Sequence, residues 1–543
     1  MVNAMIRYRT AQFVVLAACL SVTSSVARAQ DDAATSIATG DELFKKGEYA
    51  QAITAYGEAL AKDDKSAVAL AHRALANFHL GSLEPCISDC NQAIEFDSNL
   101  ALAYFTRASA YRKQGNLDGA ATDLDAAIQL DPQNAALLYN RAAVHFDKRD
   151  FRQAVELFDR AIALKPDLTV AYAAQGLARN KLGEFDQALA AFGMAIEKNA
   201  GDVVSLVNRA KAHAALGQVD KALADFDAAV SATPQNLNAL MHRGIFHQAL
   251  GEHDKALADF DAALALEPEA PNKARALYRR SGSHLQKQDN DSAIADLDAA
   301  VAADATFADA FARRGTVRVM QAAKDPPPPD VADLVTKAFA DLSEAIRIKP
   351  LDADLYHQRG MAYAARNDFD NAVKDLDEAI KLAPDRADLF SVRASTYLVR
   401  GQATKNLGDL TKTIEDATAV IRLTPDDAGA YFLRGMASGL AGQTAQALED
   451  LNKSIQLNAN NAQTFSIRAG LHQALGDGAS AMVDITRAIE LDPNSARFYA
   501  IRAGLHKARG DNASADKDIA KAVELDPRLA QPAQAPAQVP AQP

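Results

Sequence analysis

Apolar residues recur along this chain at helical spacing, in short runs that come in pairs. A glycine or polar bend separates the two runs of a pair, as in LGEF at 182–185. Apolar positions three and four residues apart predict an amphipathic helix. A proline, which cannot continue a helix, commonly ends the second run. Each pair of runs therefore predicts a helical hairpin.

The prolines also mark a period. Pro132 and Pro166, Pro234 and Pro268, Pro350 and Pro384, and Pro493 and Pro527 are each 34 residues apart. With Asp64, Ser98, Ala200, Ala305 and Ala459 filling the gaps, fourteen units cover residues 31–527. Insertions of three, eleven and seven residues break the beat, near 269–274, 322–334 and 397–410. Self-similarity at such a period predicts a repeat array, so the expected fold is an all-α solenoid of fourteen hairpins. The second insertion, AAKDPPPPDVADL at 322–334, predicts a stiff polyproline II projection. Residues 528–543, RLAQPAQAPAQVPAQP, lack periodicity and predict an extended tail.

Three columns of the 34-residue unit stay small. The eighth position is Gly, Ala or Ser throughout, from Gly40 through Gly244 and Gly315 to Ala503. The twentieth is Ala except at Cys86 and Thr413, and the twenty-seventh is Ala except at Val420 and Ser454. Small side chains let helix axes approach closely, and larger ones overpack the crossing.

These columns, an aromatic or Leu near positions 4 and 24, and Pro at 32 resemble the tetratricopeptide-repeat (TPR) family, in its exported bacterial type. The resemblance covers essentially the whole chain after residue 30. It implies a right-handed superhelix whose concave face is lined mainly by each unit's first helix and binds segments of partner proteins. By that resemblance positions 2, 5, 9, 12 and 13 face the groove. They include Phe78, Phe105, Arg112, Lys113, Tyr139, Phe146, Lys211, Met241, Ile245 and Tyr278. Exposed apolar anchors among cations suit a peptide carrying some acidic groups. The alternative is that these side chains pack between neighbouring units. The family's chaperone-binding clamp, Lys at position 5 with Asn at 9, occurs in no unit.

An arginine–aspartate ladder runs through the array. Position 7 and position 23 hold Arg73 with Asp89, Arg107 with Asp123, Arg209 with Asp225, Arg243 with Asp259, Arg280 with Asp296, and Arg314 with Asp341. The series continues with Arg359 and Asp375, Arg393 and Asp416, Arg434 and Asp450, Arg468 and Asp484, and Arg502 and Asp518. In a hairpin bending near position 15 the two lie level, and a guanidinium can grip a carboxylate with two parallel bonds. Pairing within a unit and pairing to the next unit are both compatible with the register. Eleven copies argue for a structural joint, since a catalytic acid is needed once.

Residues 242–261, HRGIFHQALGEHDKALADFD, hold three histidines and look like a metal or acid–base site until the period places them. His145, His213, His247, His284, His472 and His506 share position 11. Stacked units hold such residues about 10 Å apart, too far to share one ion. No HExxH, CxxC or glycine-rich phosphate loop is present. The expectation is no catalytic residue, no metal and no cofactor. Cys86 and Cys90 share one helix face, as two buried thiols or a strained disulfide.

The N-terminus reads as a secretory signal over 1–29: Arg7 and Arg9, then apolar FVVLAACLSV at 13–22, then ARA at 27–29. An overlapping LAAC at 16–19 resembles a lipobox, in which Cys19 would carry lipid. No later stretch is long and apolar enough to span a bilayer. Removing residues 1–29, with three arginines and no acids, moves the net charge from −12 to −15. That balance disfavours nucleic acid as a partner. The sequence thus points to a non-enzymatic scaffold exported to the periplasm or beyond, binding a protein or peptide along its groove. The alternative is a lipid-anchored subunit of an outer-membrane assembly or polymer-export machine.

Overall fold

A computed structural model of the protein describes residues 29–324 and 328–530. Within them the chain forms twenty-eight α-helices, from α1 (Ala29–Lys45) to α28 (Asn512–Leu525), and no strand. Both the proposed signal, with Cys19, and residues 531–543 of the tail lie outside the described residues. Arg528 to Ala530 depart from an extended tail, because they close a 3₁₀ turn, Pro527–Ala530, that packs on α28.

Each hairpin follows from a few local rules. Asp, Asn or Ser precedes many helices and caps a free amide, as Asn236 does for Ala239 at 3.0 Å and Asp511 for Ser514 at 3.0 Å. The bend at position 15 needs a left-handed backbone. Nine units supply glycine there, with φ between 71° and 84°. Arg149, Gln288 and Asn367 take the same place at φ of 60° to 64°.

The chain divides between Pro268 and Glu269, at the first insertion, into two compact units. In each unit a helix packs on its hairpin partner and on the next hairpin's first helix. In the first unit the largest fully buried side chains include Tyr56, Phe158, Phe192, Phe226 and Phe260, all at position 24. The second unit puts Leu297, Leu342 and Leu376 at the same place. The small eighth column faces this layer. A Cβ added at Gly244 would lie 2.8 Å from the Phe260 ring, and one at Gly315 would lie 2.9 Å from the Ala338 carbonyl oxygen.

The insertions are absorbed largely as helix. The first lengthens α15 (Ala270–Gln286) at its start, with Pro271 in the first turn, where its missing N–H costs nothing. The flanks of the expected polyproline projection are helical: Ala322 ends α17 (Ala308–Ala322) and Val331–Leu334 open α18 (Val331–Ile348). Residues 325–327 lie outside the described part. The seven-residue insertion adds about one turn to each of α21 (Ala387–Thr404) and α22 (Leu407–Leu423).

Candidate functional site

The ladder pairs form inside each hairpin. In all eleven, the arginine Nε and one Nη donate to the two oxygens of the aspartate on the facing helix. Arg73 does so at 2.8 and 2.7 Å, and Arg468 at 2.8 and 2.6 Å. The aspartates are buried; the Asp450 side chain is 2% exposed. The arginines keep some contact with water, at 12% to 28%. Hydrogen bonds to these carboxylates hold guanidinium pKa values, such as that of Arg434, above their ordinary range.

A further column was missed in the sequence. In many units, though not where Gly57 or Gly193 stands there, the remaining arginine nitrogen reaches back to position 25 of the preceding hairpin. Arg107 meets Asn91 at 2.6 Å, Arg243 meets Asp227 at 2.9 Å, and Arg468 meets Asn452 at 2.6 Å. This link survives where the ladder fails. Arg141, facing Leu157, pairs with Asp125 at 2.7 Å, and Gln175 donates to Asp159. One guanidinium therefore joins its own hairpin and the one before it. The recurring polar residue at position 25 was the available signal.

The histidine column closes the hairpin tips. His247 Nδ1 lies 2.6 Å from Glu252 and His145 Nδ1 lies 3.1 Å from Asp150, each at the bend. On the ring's other side, His213 Nε2 lies 3.9 Å from Asp225, a ladder carboxylate. His145 lacks that carboxylate, and burial with Arg141 nearby lowers its pKa. Among the described residues no group of three His, Cys, Asp or Glu is placed to hold a metal. Cys86 and Cys90 are free buried thiols, without a disulfide. Their mutual hydrogen bond and burial raise the Cys90 pKa.

The groove candidates lie on first helices, but the expected exposed aromatics are corrected by their packing. Phe105, on α5 (Ala101–Gln114), is buried in a core cluster with Leu124 and Val144. The others are half-buried. Tyr139 packs against Phe158 at 5.6 Å, and Phe146 against Phe151 at 5.2 Å. Phe78 lies against His79, while Met241 and Ile245 are partly covered. The Tyr278 ring carries the Arg313 guanidinium at 3.6 Å, and its hydroxyl accepts from Arg313 at 2.7 Å. Arg112 pairs with Asp147 at 2.6 Å. Lys113 is exposed, 5.4 Å from the Phe78 ring. Lys211 is half-buried against His242.

Exposed apolar groups on first helices are instead prominent in the second unit. Met320 on α17 is 64% exposed, Met361 on α19 (Ala353–Ala365) 45%, Val399 on α21 48% and Leu440 on α23 (Ala428–Leu440) 50%. They occupy positions 13, 9, 13 and 13 of consecutive units, and these first helices touch one another in order. Their groove positions, 9 and 13, are the signal the sequence carries for them.

At the other end, His79 stacks on Tyr49 at 4.8 Å with Phe44 5.1 Å away. Burial, then the charge of Lys113, lowers its pKa to about 4. An unfolded histidine titrates near 6.5. The unfolded chain therefore takes up this proton first, so the stabilisation is full above about pH 6.5 and is lost towards pH 4. The wild-type thermal midpoint is expected to drop more between pH 7.5 and 5.0 than that of His79→Gln. Equal drops in the two melting curves would refute the assignment.

Helical hairpins stacked at a 34-residue period, with small residues at their crossings, define a helical-repeat protein. Family models bear on which one. A TPR repeat model matches residues 40–81 and 108–148, and tetratricopeptide-repeat models match 135–168, 173–236, 243–306, 353–386 and 428–461. Together they cover more than half the chain, which belongs to the tetratricopeptide-repeat family. A curated relative, an inactive TPR repeat-containing thioredoxin of Arabidopsis thaliana, is 40% identical over 52 residues. That match spans 10% of this chain and 8% of the relative. Yeast Tom70 aligns at 17% identity over 86% of this chain and 98% of its own, with a TM-score of 0.37. Cut9–Hcn1 of the APC/C aligns at 14% over 86% and 95%, with a TM-score of 0.38.

Proposed function

We propose that this chain is a non-enzymatic scaffold in a bacterial cell envelope that holds segments of partner proteins along its first-helix face. The carrying observation is the row Met320, Met361, Val399 and Leu440, exposed on four consecutive first helices of the second unit. Water-exposed apolar side chains in sequence along a groove offer anchors for a partner. The envelope setting is supported by the basic, apolar and ARA pattern of residues 1–29. The LAAC at 16–19 supports the lipid-anchored version, which a mature N-terminus carrying acylated Cys19 would establish by mass spectrometry.

The test is crosslinking and mass spectrometry from native cells, comparing wild type with a Met320→Glu, Met361→Glu, Val399→Glu variant. The wild type is expected to crosslink to defined partner peptides beside these residues, and the variant to lose them while melting normally. A normally folded variant that keeps every crosslink would overturn the groove reading.

A further inference from the structure

Lys211 lies on α11 (Val203–Ala215), a first helix of the first unit. First helices α9 (Thr169–Leu182) and α13 (Leu237–Ala249) flank it and touch it. Its ammonium donates to His242 Nε2 on α13 at 2.9 Å. The charged group that acts on it from α9 is Lys181, another cation. The facing carboxylate of its own hairpin, Asp225 on α12 (Val219–Ala232), is taken by Arg209 with two bonds of 2.7 and 2.6 Å. Arg243 on α13 is likewise held by Asp259 and Asp227, and Arg179 on α9 by Glu184 and Gln187. Among the described residues no carboxylate pairs with Lys211.

This is unusual for the chain. It carries 70 acidic against 58 basic side chains, and most half-buried arginines on first helices find carboxylates, as Arg112 finds Asp147, with Arg313 on Tyr278 another exception. Burial and Lys181 push the Lys211 ammonium down to about 8. A half-buried ammonium next to a second cation favours the arrival of an anion, which restores the charged form of Lys211.

We infer that Lys211, with Lys181 and His242 beside it, forms a subsite for an acidic side chain of a partner segment lying along the first helices. A side-chain carboxylate fits better than a chain terminus, because α11 has a first helix of the same unit on each side and a segment lying along α9, α11 and α13 crosses the site in mid-length. The inference rests on the groove reading above but concerns the first unit alone.

The test uses fluorescence anisotropy of the full chain with three labelled peptides. They are acetyl-(Leu-Glu)₅-amide, acetyl-(Leu-Gln)₅-amide and acetyl-(Leu-Gln)₅ with a free C-terminus. The wild type is expected to bind the glutamate peptide at pH 6.5 at least about 5-fold more tightly than either glutamine peptide. Its affinity should fall by a similar factor at pH 9.5, as Lys211 loses its proton. Lys211→Gln should lose the preference at pH 6.5, Lys211→Arg should keep it through pH 9.5, and Lys221→Gln, at an exposed lysine of the same hairpin, should behave as wild type. Any of three results would overturn the inference: no glutamate preference in the wild type, wild-type binding by a normally melting Lys211→Gln, or a preference that follows the free C-terminus. If partner crosslinks at Met320 and Met361 persist in that event, the groove reading stands without this subsite.

Discussion

Replacing Asp341 with alanine is expected to destabilise the second unit more than any other single ladder change. Asp341 is 4% exposed and holds two guanidinium groups. Arg314 donates to it at 3.0 and 2.5 Å, and Arg318 at 2.6 Å. Alanine leaves both cations facing a vacated, water-poor site. Breaking one partner of a buried pair costs about 3–5 kcal/mol. In a unit of this size that corresponds to a fall in thermal midpoint of roughly 10 °C. Both arginines retain Asp298, Arg314 at 2.7 Å and Arg318 at 3.2 Å, which offsets part of the loss. Asp341→Asn should fall between alanine and wild type, since one bond can still form. Differential scanning calorimetry decides the matter. A shift in Asp341→Ala no larger than that of an exposed aspartate such as Asp385 would show that the pair is decorative.

Phe260→Ala should have a comparable effect in the first unit for a different reason. The ring is fully buried at position 24, against the bare backbone of Gly244. Truncation removes most of an aromatic side chain and leaves a cavity that two close-packed helices cannot readily collapse into. Such changes cost about 3–5 kcal/mol. Phe260→Leu should cost far less, because the second unit already uses leucine there, as Leu376 does against Gly360. Equal melting curves for Phe260→Ala and Phe260→Leu would mean that the layer tolerates voids.

The hairpins, their period and their small columns were legible because they are local and repeated fourteen times. The need for a small residue at position 8, sharpest at Gly315 beside the Ala338 carbonyl, recurs in every unit and so becomes visible as a column. The partner of each arginine was legible only to the level of its height. Position 23 of the same hairpin and position 25 of the one before both lie within reach of a planar group with three nitrogens, and the structure uses both. The groove was least legible. Whether Phe105 is exposed depends on how closely Leu124 and Val144 approach it from other helices. No spacing within its own helix encodes that. The resemblance supplies positions, not exposures, so the apolar row of the second unit emerges only from the packed helices.

The ladder also governs how the hairpins can change length. Arg400 grips Asp409 with bonds of 2.9 and 2.7 Å, seven residues beyond Arg393 and seven before Asp416, about the same bend. Seven residues are close to two helical turns, shared here between two helices, so each grows by about 5 Å while its faces keep their direction. The inserted segment brings its own clasp, and Arg400 also reaches Asp370 of the preceding hairpin. A repeat built this way can be lengthened like a telescoping rod with a locking pin at each stop, and its height becomes adjustable independently of how it stacks.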